Sequence, residues 1–282
     1  MVPIALAALG EIFAEKSGVV NIGLEGTMLV SAWVGFFVSY TTLNPYLGLL
    51  SGVLVGASLG VLHSVVSVYL KGDQIISGVG VNILGLGFAA IMYEIVLGLG
   101  TTLSVFPDRI LTPWGLLRFM VPGTFVVAVV LWYVLERTRL GLNVKAVGEN
   151  PEAADAVGIN VERTRVLAVV IGACLAGLAG AYMSVDLLGS ESKNITQGRG
   201  FIALATVVFA GWNPLMGLVG SLLFGVTQGV SIWVRLFPSV RELTFVNNSL
   251  QMLPYILTVL AVALLGKRSR VPKALGVPYR RE

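Results

Sequence analysis

The sequence predicts an all-α membrane protein whose helices form a polytopic bundle. Of its 282 residues, 56% are hydrophobic and only 12% are charged, whereas soluble domains average about 25% charged residues. Such a chain has too few polar side chains to cover a water-facing surface, so much of its apolar surface has to face lipid. The 34 glycines and 11 prolines also suit membrane helices, in which small residues let backbones approach closely.

Apolar runs of about the length that a bilayer requires, roughly 20 residues, recur along the chain. The clear ones are Met28–Leu43, Tyr46–Leu70, Ile75–Gly98, Phe119–Leu135, Val166–Val185, Leu215–Leu236 and Leu250–Gly266. Two further runs, Val2–Phe13 and Gly200–Gly211, are shorter or interrupted. Each of them fits either a crossing or a re-entrant segment that is enclosed by protein. We therefore predict eight or nine spans, some short or broken, in a single domain of residues 1–282.

The basic residues set the orientation, because cytoplasmic loops carry an excess of Lys and Arg. With nine crossings and a cytoplasmic C-terminus, thirteen of the 19 Lys and Arg residues face inward. Lys145 and Lys273 belong to the inward group, and Lys193 belongs to the outward group. This assignment predicts an extracytoplasmic N-terminus, a cytoplasmic loop at about 136–165 and a cytoplasmic tail at 267–282.

Small residues at intervals of four predict the faces through which helices pack. Three sets have this spacing: Gly52, Gly56 and Gly60; Ala173 and Gly177; Gly225 and Gly229.

The loop at 136–165 contains the signals of a short helix. Asn150 is a good N-cap, Pro151 suits the first helical position and Gly158 suits the residue after the C-cap. The helix between them has a small, apolar side that includes Ala154 and Val157. It is either a solvated connector or a coupling helix that docks, through small apolar anchors, into a groove on another protein.

Polar residues inside apolar segments are candidates for function, because they are costly at membrane depth. Asn21 and Glu25 lie in the glycine-broken stretch GVVNIGLEG, where they either face a substrate or satisfy freed backbone groups. Asn82 lies within an apolar helix and either bonds a neighbouring helix or lines a path. His63 fits a packing or interfacial role.

The stretch around residues 191–213 adds three candidates. Gln197 lies in ESKNITQGRG, which is either a substrate-facing mouth or an ordinary exposed loop. Trp212 and Asn213 precede Pro214 at a helix break, and Trp212 suits the aromatic belt at a membrane interface. All three are kept as candidates for a substrate path.

Several classes of function lack support in the sequence. The G-x-x-x-x-G-K-[ST] signature of a phosphate-binding loop is absent, as is a Ser/His/Asp set. A single cysteine, Cys174, and a single histidine form neither a disulfide nor a Cys/His metal cluster. Basic residues are spread over short loops and one tail, which argues against nucleic acid as a partner.

Four blocks of sequence resemble one family of permeases. GENPEAADAVGINVERTR resembles the cytoplasmic loop of permeases in the branched-chain amino acid, simple sugar and nucleoside importer family, a loop that contacts the ATPase subunit. GEIFAEKSGVVNIGLEGTMLVSAW, KGDQIISGVGVNILGLG and GRGFIALATVVFAGWNPLMGLVGSLLFG are similar to its nucleoside-type branch. The blocks follow the order of the family and cover most of the chain from Gly10 to Gly225.

The resemblance implies the permease subunit of an ATP-binding-cassette importer in a prokaryotic plasma membrane. Its cargo is expected to be nucleosides, or alternatively sugars or branched-chain amino acids, moved inward by alternating access. The chain itself is expected to be no enzyme and to bind no cofactor, with ATP and Mg²⁺ on a partner ATPase. A second permease and an extracytoplasmic substrate-binding protein are the other expected partners. ATPase coupling is assigned to Gly148, Glu149, Asn150, Pro151, Ala153, Ala154 and Gly158.

Two other classes of function compete with the importer permease. An ion-coupled secondary transporter usually buries ionisable groups in mid-span, and the central spans hold almost none. A membrane enzyme needs a convergent reactive set, which the sequence does not show. Co-purification with an ATPase subunit separates the three.

Overall fold

The computed structural model describes residues 1–97, 117–189, 192, 194–234, 252, 256 and 271–280. Within them the chain is helical and has no strand. The helices are α1 Val2–Glu15, α2 Leu24–Thr42, α3 Pro45–Ser64, α4 Gln74–Leu97, α5 Leu117–Arg137, α6 Arg139–Glu149, α7 Pro151–Ala156, α8 Val161–Tyr182, α9 Arg199–Ala210 and α10 Pro214–Val234. Helices α3 and α8 continue as single π-helical turns, Val65–Tyr69 and Met183–Leu187.

Five of the described helical stretches are long and apolar enough to cross a membrane. They are Pro45–Tyr69, Gln74–Ile95, Phe119–Arg137, Val161–Leu187 and Pro214–Ser231. Together with the shorter apolar helices they confirm the all-α polytopic class. Lys193 and all of the predicted span Leu250–Gly266 except residues 252 and 256 lie outside the described residues, so the number of crossings stays a prediction.

Helix α2 differs from the predicted span Met28–Leu43. It begins at Leu24 rather than Met28, and Thr27, Ser31 and Ser39 are buried along it. Because neighbouring helices cover these side chains, α2 does not need the uniformly apolar surface of a helix that faces lipid.

Helix α1 lies at the centre of the bundle. Every residue from Val2 to Glu15 is buried, and the helix packs against α5, α8, α9 and α10. The shortness of the run Val2–Phe13 thus reflects enclosure by protein on all sides, which is the condition under which a short segment is tolerated at membrane depth.

The glycine stripe of α3 is a packing face, as predicted, and its partner is α8. A Cβ atom on Gly56 would overlap the carbonyl oxygen of Ala173, and one on Gly177 would overlap that of Gly52. The pair on α10 is only half in contact: Gly225 packs against Met1, whereas nothing lies within 4 Å of a Cβ built on Gly229.

The loop predicted to be cytoplasmic, residues 136–165, is more helical than expected. Helix α6 precedes α7, and its N-cap is Thr138, whose hydroxyl accepts a hydrogen bond from the Gly141 amide at 3.3 Å. Helix α8 begins at Val161, five residues before the predicted span, because Asn160 caps it by accepting from the Arg163 amide at 2.9 Å. Apolar runs alone predict neither the start of α6 nor the start of α8.

Candidate functional site

The chain between α1 and α2, residues 16–23, is an irregular segment whose backbone is satisfied by side chains from several helices. The Asn21 amide donates to a Glu11 carboxylate oxygen at 2.7 Å. The Val20 amide donates to Gln74 Oε1 at 2.8 Å, and the Val20 carbonyl lies 3.1 Å from His63 Nε2. Buried backbone groups need such partners. We name residues 16–23 the re-entrant segment, as a label for this interruption between α1 and α2.

The side-chain amide of Asn82 forms two hydrogen bonds to the backbone of this region. Its Oδ1 accepts from the Gly26 amide at 2.8 Å, and its Nδ2 donates to the Ile22 carbonyl at 3.0 Å. Of the two interpretations of Asn82, the structure shows the contacts of a helix link: α4 is joined to the re-entrant segment and to the first turn of α2. Its place on a substrate path stays a prediction.

Asn21 and Glu25 also bond to backbone, as one of their two interpretations required. Asn21 Oδ1 accepts from the Gly23 amide at 3.0 Å. Glu25 is 5% exposed, and its carboxylate accepts from the Thr196 hydroxyl and from the amides of Gly198 and Gly200 at 2.8 and 2.7 Å. A carboxylate is favourable there because it faces the N-terminal end of α9.

Glu25 therefore joins two interrupted parts of the chain, since it lies in the first turn of α2 and accepts hydrogen bonds at the N-terminal end of α9. The approach is close: a Cβ atom on Gly200 would lie 2.6 Å from the Glu25 amide nitrogen. Gln197, in the turn that leads into α9, is exposed and has a φ of +47°. The structure thus brings the turn that contains Gln197 next to Glu25, while Asn21 and Asn82 bond to backbone at Gly23, Ile22 and Gly26, on either side of the α2 start in the sequence.

Trp212 and Asn213 lie apart from that junction, at the other end of α9. Trp212 is 3% exposed, and its indole N–H donates to the Glu15 carboxylate. The expected place in a lipid-interface belt is therefore wrong, because the indole N–H is needed by a buried carboxylate. Asn213 is exposed and caps α10 by accepting from the Leu215 amide at 2.9 Å.

Sequence reasoning missed three buried polar residues in this region: Glu11, Glu15 and Gln74. Glu11 and Glu15 are one helical turn apart on α1, and each accepts a hydrogen bond from a group outside that helix. Ionisable residues spaced by four in an apolar run were the available signal. In the part of the chain that the structure describes, no group of three or more His, Cys, Asp or Glu residues could hold a metal ion.

Helix α7 has the boundaries that the sequence predicted. Asn150 Oδ1 accepts from the Ala153 amide at 3.0 Å, and Pro151 is the first helical residue. At the other end Gly158 has a φ of +87°, and the Ile159 amide donates to the Ala154 carbonyl at 3.0 Å. This is the Schellman arrangement that a glycine after the C-cap permits.

The expected docking face of α7 needs a correction. Ala154 is 4% exposed and packs with Val147 and Val161, inside its own chain. Val157 is 76% exposed, and Ala153 and Ala156 are exposed as well. Ala154 therefore fixes α7 to α6 and α8, while the opposite side of the short helix faces outward.

Gly148 fixes the end of α6 against the re-entrant segment. A Cβ atom on Gly148 would overlap the Lys16 carbonyl oxygen, so only glycine allows this approach. Burial lowers the pKa of the Lys16 ammonium, and the negative charge of Glu149 opposes that shift. Lys145 forms an ion pair with Glu136 at 3.1 Å nearby.

The tail at 267–282 makes contacts that sequence reasoning did not foresee. Residues 271–280, here named the C-terminal strap, lie across the same end of the molecule. The Ala274 amide donates to the Gly148 carbonyl at 2.9 Å, and the Gly276 amide donates to the Gly18 carbonyl at 3.1 Å. The predicted cytoplasmic loop, the re-entrant segment and the tail thus form one surface.

Comparison with known proteins gives this architecture a family. The matching family is described as "Branched-chain amino acid transport system / permease component", over residues 1–265. The chain is 33% identical to the nucleoside ABC transporter permease protein NupC of Lactococcus lactis, covering 98% of this chain and 93% of that protein. It is 34% identical to the guanosine ABC transporter permease protein NupQ of Bacillus subtilis, covering 98% and 92%.

A third relative, the putative glucose ABC transporter permease protein TsgC13 of Haloferax volcanii, is 36% identical over 98% of this chain and 94% of its own. No solved structure matches the chain. Similarity of this extent covers both interrupted segments, α7 and nearly all the spans. The chain is a multi-pass membrane protein of the prokaryotic plasma membrane, and it belongs to the family of ATP-binding-cassette permease components of the branched-chain amino acid transport type.

Proposed function

We propose that this permease moves nucleosides into the cell by alternating access, driven by a separate cytoplasmic ATPase that binds ATP and Mg²⁺. A second permease, of the same or a related sequence, would complete the pathway, and an extracytoplasmic binding protein would deliver the substrate. The permease chain would itself bind no cofactor and catalyse no reaction. Two near-full-length relatives named for nucleoside and guanosine transport support the choice of substrate.

The observation that carries the coupling role is the exposed side of α7. A six-residue helix is too short to be stable alone, yet here it is capped at both ends and anchored through Ala154. Its outward side presents Ala153, Ala156 and Val157, which are small apolar side chains suited to a groove. A helix fixed in this way transmits a displacement to the chain that holds it.

The junction between Glu25 and the turn before α9 is the proposed place of the substrate path. Two interrupted segments meet there, and interrupted helices place backbone polar groups at membrane depth. Asn21 and Asn82 would shape the path by holding the re-entrant segment, and the exposed Gln197 would face the substrate. Trp212 and Asn213, at the opposite end of α9, would lie at the cytoplasmic exit.

Val157→Asp tests the docking role. We expect the variant to insert and melt as the wild type does, because Val157 is 76% exposed. Its affinity for the co-expressed ATPase should fall by roughly tenfold or more, since a buried charge would replace an apolar anchor. Val157→Thr, which keeps the shape without a charge, is the matched control. Equal ATPase affinity for all three proteins would refute docking through this face.

The cargo is tested by uptake into vesicles that contain the assembled transporter. We expect guanosine uptake to require ATP and to exceed uptake of glucose and leucine. Glucose is the second candidate, because the glucose permease relative is the most identical of the three compared. Uptake driven by an ion gradient without ATP would instead identify a secondary transporter.

A further inference from the structure

Arg165, near the start of α8, is a buried cation that neither the fold class nor the proposed docking role explains. It is 1% exposed. Its Nε donates to the Ser17 carbonyl at 3.2 Å, and its Nη1 donates to the Val277 carbonyl at 2.9 Å. Among the residues that the structure describes, no carboxylate lies within ion-pair distance of it.

The two carbonyl groups belong to segments that are remote in the sequence. Ser17 is in the re-entrant segment, and Val277 is in the C-terminal strap. The fixed fork of a guanidinium can hold two acceptors in a defined geometry, which an ammonium cannot do. Hydrogen bonds from a charged donor are also stronger than neutral ones. Arg165 therefore clamps the strap and the re-entrant segment to α8.

The strap also reaches the coupling loop. Its Ala274 amide is bonded to the end of α6 at Gly148. Its Tyr279 packs against the cluster of Val147, Ala154 and Val161, which is the cluster that anchors α7. The strap thus contacts α7 at one point and the re-entrant segment at another.

The re-entrant segment leads directly to the proposed path. It passes from Gly18, under the strap, to the start of α2 at Leu24. There Asn82 holds the backbone on one side and Glu25 holds the turn before α9 on the other. A displacement of the segment at its strap-bound end would be carried to this junction along residues 18–24, which join the two without a break.

We propose that Arg165 is a positioning residue that, with the C-terminal strap, ties α7 to the re-entrant segment, so that movement of the ATPase reaches the substrate path. This inference rests on the proposed function. Arg165 would act in coupling, and it would touch neither the ATPase nor the substrate. When the clamp is lost, α7 can move with the ATPase without moving the re-entrant segment.

The test is Arg165→Gln in vesicles that contain the assembled transporter, measured as guanosine transported per ATP hydrolysed. We expect ATPase binding to be retained and the transport ratio to fall by roughly tenfold, since two buried carbonyl groups lose a charged donor. Arg165→Lys, which keeps the charge but lacks the fixed fork of the guanidinium, should recover part of the ratio. Arg163→Gln is the matched control, because Arg163 is exposed on the same helix.

A chain that ends at residue 270 provides a second, independent variant, which keeps Arg165 but removes its Val277 acceptor. It should show the same loss of transport per ATP, with ATPase binding intact. An unchanged ratio in Arg165→Gln, or in the shortened chain should Arg165→Gln fail to fold, would overturn the inference while leaving the proposed function in place. Failure of the wild type to bind an ATPase would overturn the proposed function instead.

Discussion

Asn82 shows how a single polar side chain acts at membrane depth. Its amide donates to one backbone group and accepts from another, so the side chain has no unused polar end that faces the lipid. Asparagine fits this position because it carries a donor and an acceptor on one planar group. Replacement by any apolar side chain leaves both the Gly26 amide and the Ile22 carbonyl without this partner.

We expect Asn82→Leu to lower the melting temperature of the purified permease. Hydrogen bonds between membrane helices are worth about 0.6 kcal/mol on average and at most about 1.7 kcal/mol, so the loss should be modest. The preference among guanosine, glucose and leucine should not change, because both amide ends face protein. A changed preference with an unaltered melt would instead place Asn82 on the substrate path.

At the scale of the element, the closest helix contacts in this chain occur at glycines, which have no side chain to keep the backbones apart. Gly56 on α3 lies against the Ala173 carbonyl, whereas Gly80 on α4 has nothing within 4 Å of a built Cβ atom. The same residue type is therefore a packing requirement at one position and an open surface at the other.

Gly56→Ala and Gly80→Ala form a matched pair. Gly56→Ala should destabilise the protein by about 1–3 kcal/mol, because an added carbon in a packed interface forces the backbones apart. Gly80→Ala should leave the melt unchanged or raise it slightly, since glycine costs a helix roughly 0.5–1 kcal/mol relative to alanine. Equal melting temperatures for the two variants would contradict the close contact of α3 and α8.

Elements with local signals could be predicted from the sequence, and elements defined by tertiary contact could not. The caps of α7 at Asn150 and Gly158 were predictable because each acts within four residues of itself. The burial of Ala154 was not, because its partners include Tyr279 in a distant segment. The clamp at Arg165 joins residues more than a hundred positions apart, and neither periodicity nor composition carries that information.

At the scale of the whole molecule, the loop contacts collect at one end. The re-entrant segment, the end of α6, α7 and the strap all meet there, and this is the end that the basic residues predict to be cytoplasmic. The turn that contains Leu43 joins the end of α2 to the beginning of α3. It lies at the other end of these helices, away from the loop contacts. Orientation in the membrane therefore reduces to which of these two surfaces faces the cytoplasm.

Labelling of single cysteines in a Cys174→Ser background tests that orientation. Val157→Cys should react with a membrane-impermeant thiol reagent only from the cytoplasmic side, and Leu43→Cys only from the outside. Both positions are exposed in the isolated chain, at 76% and 64%, and the permease is labelled without its ATPase, so a lack of reaction reports the side of the membrane rather than burial or docking. Reaction of both from the same side would mean that the number of crossings between them is wrong.

The burial of α1 has a consequence for the way the protein is made. The ribosome completes this helix before any of the helices that enclose it, and α8, α9 and α10 follow only after residue 160. Until then Glu11 and Glu15 lack the enclosure that α8, α9 and α10 provide, and Glu15 also lacks its Trp212 partner. Contacts between such distant parts of a chain form slowly, so the packing of the first helix is completed only after α8, α9 and α10 have been synthesised.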